Sequence, residues 1–468
     1  MMLTVTFYGG AGGVTGSKHL VEVNGKRTLL DCGTFQGLSD VRERNRVLPF
    51  RPETIDRVVL SHAHIDHCGM LLVLVKRGFA GPIFVTAATK EVVNYMLLDM
   101  VGIEAGDAEF RRKHKIGAPD EREPLFVEED VAPVMEQFVE VPYVRESKEW
   151  YKIDDDTELK FYDAGHILGS AVSVLRFKSS DITMAYTGDL GQVGMPLLFD
   201  PEVPTEEVQF VICESTYGSR KHQPLQQALD RMADVMKQTC ARGGKMIVPA
   251  FSLGRTQELV YWLHKMVDDK QIPRFPIYVD SPLATDLTEV YRHHRDDYDE
   301  ESWTDFPRAD DRPLAFSNLR YVTSRSESMS LNKKPGPFMV ISASGMMSAG
   351  RVVHHLKHNL SDPNNVIFVT GYQAEGTLGR RILEGAKSVE IFGEQIRVKA
   401  QVELLNELSA HADRDQLQHY LERIKGLKQV ALVHGEPHQA GDFRRQLQQA
   451  HPEWTVTRPE EGEVLEVS

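Results

Sequence analysis

In "SHAHIDHCGM", residues 61–70, His62, His64, Asp66 and His67 fall within six positions. Imidazole nitrogens and a carboxylate so closely spaced are a donor set for divalent cations. They follow the apolar run "RVVL", which predicts a strand ending at a turn that carries the donors. Residues two apart in extended backbone point to the same side, so His62 and His64 can share one ion at about 2.0–2.1 Å. Asp66 and His67 lie past the strand, where a turn can aim them at a second ion. The bland alternative is a set of surface and helix-capping histidines. Small residues among the donors, Ala63 and Gly69, favour a tight metal turn.

The same context, strand then donor then glycine-containing turn, recurs in "FYDAGHILGSA" with His166, "MAYTGDLG" with Asp189 and "VALVHGEP" with His434. Singly, each is explained by a buried, satisfied histidine or an aspartate in a turn. Together they complete a count: His62, His64 and His166 for one ion, Asp66, His67 and His434 for another, and Asp189 bridging both. A dinuclear centre of this kind lowers the pKa of a shared water and steadies both oxygens of a phosphoryl displacement.

The elements that must position these donors change character along the chain. Up to about residue 209 short β-branched runs alternate with turns: "LTVTFYG", "HLVEVNG", "RTLLDCG", "RVVLSHAH", "PIFVTAAT", then "TELKFYDAGHILGSAVSVLRF" and "ITMAYTGD". Residues 103–150 are polar with a weak helical pattern and read as a surface excursion. "FYGGAGGVTGSKH" superficially suggests a phosphate loop, but Lys18 follows Ser17 and a strand follows, so it reads as a hairpin-like loop near the site. From about 210 the rhythm becomes strand, glycine-rich turn, helix, which predicts a parallel sheet flanked by helices. "GYQAEGTLGRR" is a further weak nucleotide-loop mimic.

At 468 residues the chain exceeds one core, and 41% apolar with 26% charged residues is ordinary for a folded protein. Its four cysteines show no CxxC pairing, which argues against a disulfide framework or a thiolate zinc site and suits a reducing cytoplasm. No secretory leader and no run of about 18 apolar residues is seen, so a membrane partner is not expected. The net charge of −14 opposes a polyanionic partner, except that bound cations would reverse the sign inside a cleft.

On these residues the chain resembles the metallo-β-lactamase superfamily: Asp31 in "TLLDCGTFQG", "HAHIDHCG", His166 and Asp189 match its motifs in order and approximate spacing. More narrowly it is similar to the β-CASP branch of nucleic-acid-processing enzymes, through Glu214 in "CESTYGSRKH", His411 in "LSAHADRDQL" and His434 in "LVHGEP". "PAFSLGRTQE", "VDSPLA", "SASGMMSAGR" and "TGYQAEGTLGRR" carry the likeness through the middle of the chain.

The resemblance implies an α/β fold: an αββα sandwich from residues 1–209 and 390–468, with a β-CASP α/β domain at 210–389 inserted and capping a substrate cleft. It implies two zinc ions, with manganese or iron also accommodated by a His/Asp cage, and a ribonuclease acting through a zinc-activated hydroxide on single-stranded RNA, since His434 favours RNA over DNA. Asp66 is a ligand with a catalytic part, His411 the candidate acid held charged by Glu214, and Asp31 the carboxylate that orients a ligand imidazole. Arg220, His222, Arg255, Ser344 and Arg351 are the substrate-binding candidates, with surface ion pairing as the bland alternative for the arginines. A homodimer fits the branch but nothing in the residues argues for it. A small-ester or thioester hydrolase would leave the middle of the chain unexplained, and a non-catalytic RNA-binding subunit would be expected to have lost donors.

Overall fold

The computed structural model describes residues 2–37, 41–300, 302, 314–371, 373 and 376–467. They divide into two compact units, one of residues 1–194, 200–221 and 411–468, the other of 195–199 and 222–410.

The first unit is built on two seven-stranded sheets. One runs, in spatial order, Val464–Val467, Leu3–Gly9, Lys18–Val23, Lys26–Leu30, Arg57–Val59, Ile83–Val85 and Phe138–Glu140. The other runs Thr455–Thr457, Gln429–Val433, Phe210–Glu214, Ile182–Tyr186, Ala171–Phe177, Thr157–Asp163 and Tyr151–Lys152. Their inner faces meet in one apolar core that includes Phe7, Val21 and Leu30 from the first sheet and Phe161, Leu175, Phe210 and Val433 from the second. Burying each such large side chain contributes about 1.5–3 kcal/mol. A second cluster packs the helices Arg414–Glu422 and Pro437–Ala450 on the outer face of the second sheet through Leu417, Leu421, Phe443 and Leu447. This is the expected αββα sandwich.

Residues 103–150 are more ordered than a surface excursion. Their first part continues a 28-residue helix, Ala87–His114, and their last part contains Phe138–Glu140, which pairs in parallel with Ile83–Val85 as an edge strand. The hairpin-like loop is present between the antiparallel strands Leu3–Gly9 and Lys18–Val23. It touches the donor turn, with the Ser17 amide donating to the Asp66 carbonyl at 2.9 Å.

The second unit holds a six-stranded, all-parallel sheet in the order Leu319–Tyr321, Ile277–Val279, Phe338–Ser342, Lys245–Pro249, Val366–Val369 and Gln401–Leu404. Helices such as Arg255–Asp268, Pro282–His293 and Arg351–Asn359 follow its strands. Gln401–Leu404 pairs with Val366–Val369, so this sheet draws on residues beyond the expected limit of 389. In the "GYQAEGTLGRR" stretch, Tyr372, Ala374 and Glu375 lie outside the described residues, and Leu378–Leu383 is helical.

Two glycines in the first unit let donor loops touch. A Cβ on Gly33 would lie 1.6 Å from the Asp66 carbonyl oxygen, and one on Gly191 would lie 1.8 Å from that of Gly165. By contrast Gly102, within the long helix, faces open space. Gly33→Ala is therefore expected to destabilise the chain by about 1–3 kcal/mol or more, and Gly102→Ala to stabilise it by up to about 1 kcal/mol. Thermal unfolding of the two variants reads both signs; equal shifts would contradict the packing account.

Candidate active site

Every predicted metal donor lies in the first unit, just beyond a strand's C-terminal end. His62 and His64 follow Arg57–Val59, Asp66 and His67 lie in the one-turn helix Ile65–Cys68, His166 follows Thr157–Asp163, Asp189 follows Ile182–Tyr186, and His434 follows Gln429–Val433. The backbone of His434 takes a left-handed turn, φ 49°, and its amide donates to the Gly10 carbonyl at 2.6 Å.

The donors fall into two groups. Atoms of His62, His64, His166 and Asp189 lie within 4.8 Å of one another, as do those of Asp66, His67 and His434. His62 Nε2 and His166 Nε2 stand 3.1 and 3.2 Å from His64 Nδ1. The Asp189 carboxylate faces both groups: Oδ2 is 3.4 Å from His62 Nε2 and 3.6 Å from His166 Nε2, while Oδ1 is 3.4 Å from His67 Nε2.

This arrangement fits divalent cations on its own terms. Among the described residues His67 Nε2 and Asp189 Oδ1 are buried with no hydrogen-bond partner, and such orphaned atoms are costly unless something else compensates them. Burial and the neighbouring imidazoles push the pKa of His62 down, and burial takes His64 to about 3, so both rings are neutral and can offer lone pairs. His67 is pushed up to about 10 despite its burial, chiefly by the charge of Asp189 and by its bond to Asp31. This end of the site thus holds carboxylate charge that a cation would balance.

Asp31 is the hub beneath the donors. Fully buried and in a left-handed conformation, φ 59°, it accepts four hydrogen bonds: from the Ser61 amide at 2.7 Å, Ser61 Oγ at 2.7 Å, His67 Nδ1 at 2.6 Å and the Tyr186 hydroxyl at 2.6 Å. Ser61 Oγ also lies 2.9 Å from His62 Nδ1. Since the serine proton goes to Asp31, His62 Nδ1–H must donate to the serine oxygen, which leaves the lone pair of Nε2 facing the site. One carboxylate therefore sets two rings, one directly and one through Ser61. The donor-rich motifs themselves did not point to Ser61, Tyr186 or Thr216; only their places beside His62, before Asp189 and after Glu214 could have.

Glu214 is fully buried and takes the Leu190 amide at 2.6 Å and His411 Nδ1 at 3.2 Å. The His411 ring lies 4.5 Å, centroid to centroid, from that of His166, and its backbone forms an antiparallel bridge with Gly191. Burial opposes a charged His411, but the charge and hydrogen bond of Glu214 outweigh it, with help from Asp189 and Asp66, and the ring is held up to about 9.

The substrate-binding candidates come from both units. Arg220 is exposed in the first unit, with its carbonyl accepting from the Arg414 amide at 3.0 Å. His222, Arg255, Ser344 and Arg351 belong to the second unit. There Arg255 is buried against Glu258 at 2.6 Å, and Arg351 is bound to the buried Asp280 at 2.7 Å and to the Val322 carbonyl at 3.1 Å. Both guanidiniums are thus ion-paired within their own unit, the alternative weighed for them beside a phosphate contact. Ser344 is half-buried in the turn after Phe338–Ser342, its Oγ accepting from the Ser348 amide at 3.3 Å.

Family descriptions match along most of the chain: the metallo-β-lactamase superfamily over residues 11–234, the β-CASP domain over 256–382, and a Zn-dependent metallo-hydrolase RNA specificity domain over 395–459. The chain belongs to the β-CASP branch of the metallo-β-lactamase superfamily. It is similar to a ribonuclease of Thermus thermophilus, 35% identical over 92% of each chain, and to an RNase J-like protein of Methanocaldococcus jannaschii, 30% identical over 94% of each. A transcription termination factor of Methanosarcina mazei is 30% identical over 92% of this chain and 67% of its own. A crystal structure of a protein of unknown function from Enterococcus faecalis superposes over the whole of both chains with a TM-score of 0.57 at 16% identity, a likeness of fold.

If Asp31 orients His67 and, through Ser61, His62, then Asp31→Asn places an amide donor against donors and should weaken zinc uptake about 10–100-fold. Tyr186→Phe, which deletes one of the four bonds, should cost only about 1 kcal/mol of stability. Zinc titration and denaturant unfolding distinguish the two; normal zinc affinity in Asp31→Asn would remove it from this role.

Proposed function

We propose that this protein is a metal-dependent ribonuclease that hydrolyses phosphodiester bonds of single-stranded RNA in the cytoplasm, in RNA processing or decay. The observation that carries the reading is the convergence of seven donors on two adjoining groups, with the two oxygens of Asp189 facing one each and the Glu214–His411 pair alongside. The names of its relatives, a ribonuclease and an RNase J-like protein, favour RNA as the substrate.

His62, His64, His166 and Asp189 would hold one cation, and Asp66, His67, His434 and Asp189 the other, with zinc the expected ion and manganese or iron alternatives the donors would accept. When bound, such a pair lowers the pKa of water and neutralises charge on phosphate oxygens. The remaining chemistry falls to the protein. Ser61 and Asp31 keep the rings of His62 and His67 turned inward. The Asp66 carboxylate, partly accessible at 18%, is placed to receive a proton from the attacking water. His411, charged through Glu214 and 21% accessible, protonates the departing 3′-oxygen. Arg220, His222, Arg255, Ser344 and Arg351 are the candidates for the RNA backbone.

The reading is tested by incubating the protein with labelled single-stranded RNA, duplex RNA and bis-(p-nitrophenyl) phosphate, with and without chelator. Chelator-sensitive cleavage of RNA is expected; hydrolysis of the small ester alone, or RNA binding without cleavage, would overturn it. His411→Ala should lower turnover about 10²–10⁴-fold with metal content unchanged.

The pH profile carries a sign. An acid works only while protonated, so activity that depends on His411 persists as pH rises until its raised pKa is passed and is lost above it. Glu214→Gln removes the charge that lifts this pKa and should move the alkaline limb to lower pH. A limb that does not move would dissociate Glu214 from His411.

A further inference from the structure

Asp31 governs the rings of His67 and His62, but His434 is out of its reach and has a different partner. Thr216, two residues beyond the end of Phe210–Glu214 on the adjacent strand, places its Oγ1 3.0 Å from His434 Nδ1 and 3.0 Å from the carbonyl oxygen of the same histidine. The hydroxyl is also within hydrogen-bonding reach of the Glu214 carboxylate. Its own amide is fastened to Glu214 Oε2 at 3.3 Å.

A hydroxyl has one proton to give and lone pairs to receive with. The carbonyl of His434 and the carboxylate of Glu214 can only accept, so whichever takes the threonine proton, Oγ1 meets the ring as an acceptor. Nδ1 must then carry the ring hydrogen. The other group near this nitrogen, Asp189 Oδ1 at 3.5 Å, is also an acceptor and asks for the same tautomer. In a neutral ring the lone pair is left on Nε2, which stands 3.4 Å from Asp66 Oδ2. A lone pair set against a carboxylate oxygen is unfavourable unless a cation lies between them, which is what the second donor group requires.

We infer that Thr216 is a positioning residue: its hydroxyl fixes His434 with Nε2 toward Asp66 and thereby sets the cation affinity of the Asp66–His67–His434 group. This rests on the reading of that group as a metal site. The His62–His64–His166 group makes no use of Thr216, so the effect is confined to one of two cations.

The test uses the full chain stripped with chelator and titrated with zinc by calorimetry, then with cobalt, whose visible absorption reports the coordination of each equivalent. Wild type should take up two equivalents. Thr216→Val, which keeps the shape and loses the hydroxyl, should retain one and bind the other about 10–100-fold more weakly. Thr216→Ser should remain within about threefold of wild type. Two wild-type-like equivalents in Thr216→Val, or a serine variant as weak as the valine one, would overturn the inference. Nitrogen-15 shifts of the His434 ring in the zinc-loaded wild type need no variant: a proton on Nδ1 with Nε2 shifted by the metal supports it, and a ring protonated at Nε2 overturns it. A wild-type chain that binds no zinc or cobalt would sink the metal-centre reading and this inference together, a result distinct from a valine variant that still binds two.

Discussion

The structure of the candidate centre depends on a buried carboxylate with four donors around it. Asp31 lies in the apolar interior with no exposure, where an ionised group is tolerated only if it is fully hydrogen-bonded. Ser61 and His67 from the donor turn and Tyr186 from the end of Ile182–Tyr186 satisfy it. The bonds that satisfy the buried Asp31 therefore also hold the strand Ile182–Tyr186 and the turn carrying His62 to His67 in register. Fold and site are stabilised by one set of bonds.

A second constraint is steric. Loops that bring donors from separate strands to one point must run backbone against backbone, and the contacts at Gly33 and Gly191 leave no room for a side chain. The Gly191 contact also shows how the far end of the unit is recruited, since its backbone bridges to His411, more than two hundred residues later. The acid–base pair thus stands on the same loop system as Asp189, and its charge balance and that of the metal donors are linked through Asp189 and Asp66.

Much of this was legible in the residues. Donors that follow an apolar strand and precede glycine announce a site because packing has no use for such residues there, and His62, His166, Asp189 and His434 all carry that mark. Ser61, Tyr186 and Thr216 do not, because a hydroxyl is at home in any turn or strand and gains its role only from the neighbour that folding brings. For Arg255 and Arg351 the converse holds: a glycine at a helix start suggests an anion contact, while the ion pairs to Glu258 and Asp280 depend on what folding brings near. The long helix was obscured by Gly102 and Gly106, which lower its intrinsic propensity, and Phe138–Glu140 is too short to show an alternating pattern. The strand Gln401–Leu404 falls beyond the expected boundary at 389 because nothing in four residues distinguishes one parallel neighbour from another.

The strand Gln429–Val433 lies between Phe210–Glu214 and Thr455–Thr457, within the sheet rather than at its rim. Gln429–Val433 and Thr455–Thr457 are both made after every other strand of that sheet, so during synthesis the second layer ends at Phe210–Glu214 while the entire intervening domain emerges from the ribosome. His434 arrives with that late strand. The centre closes only then, so a nascent chain that has not yet reached this strand carries an unfinished set of donors.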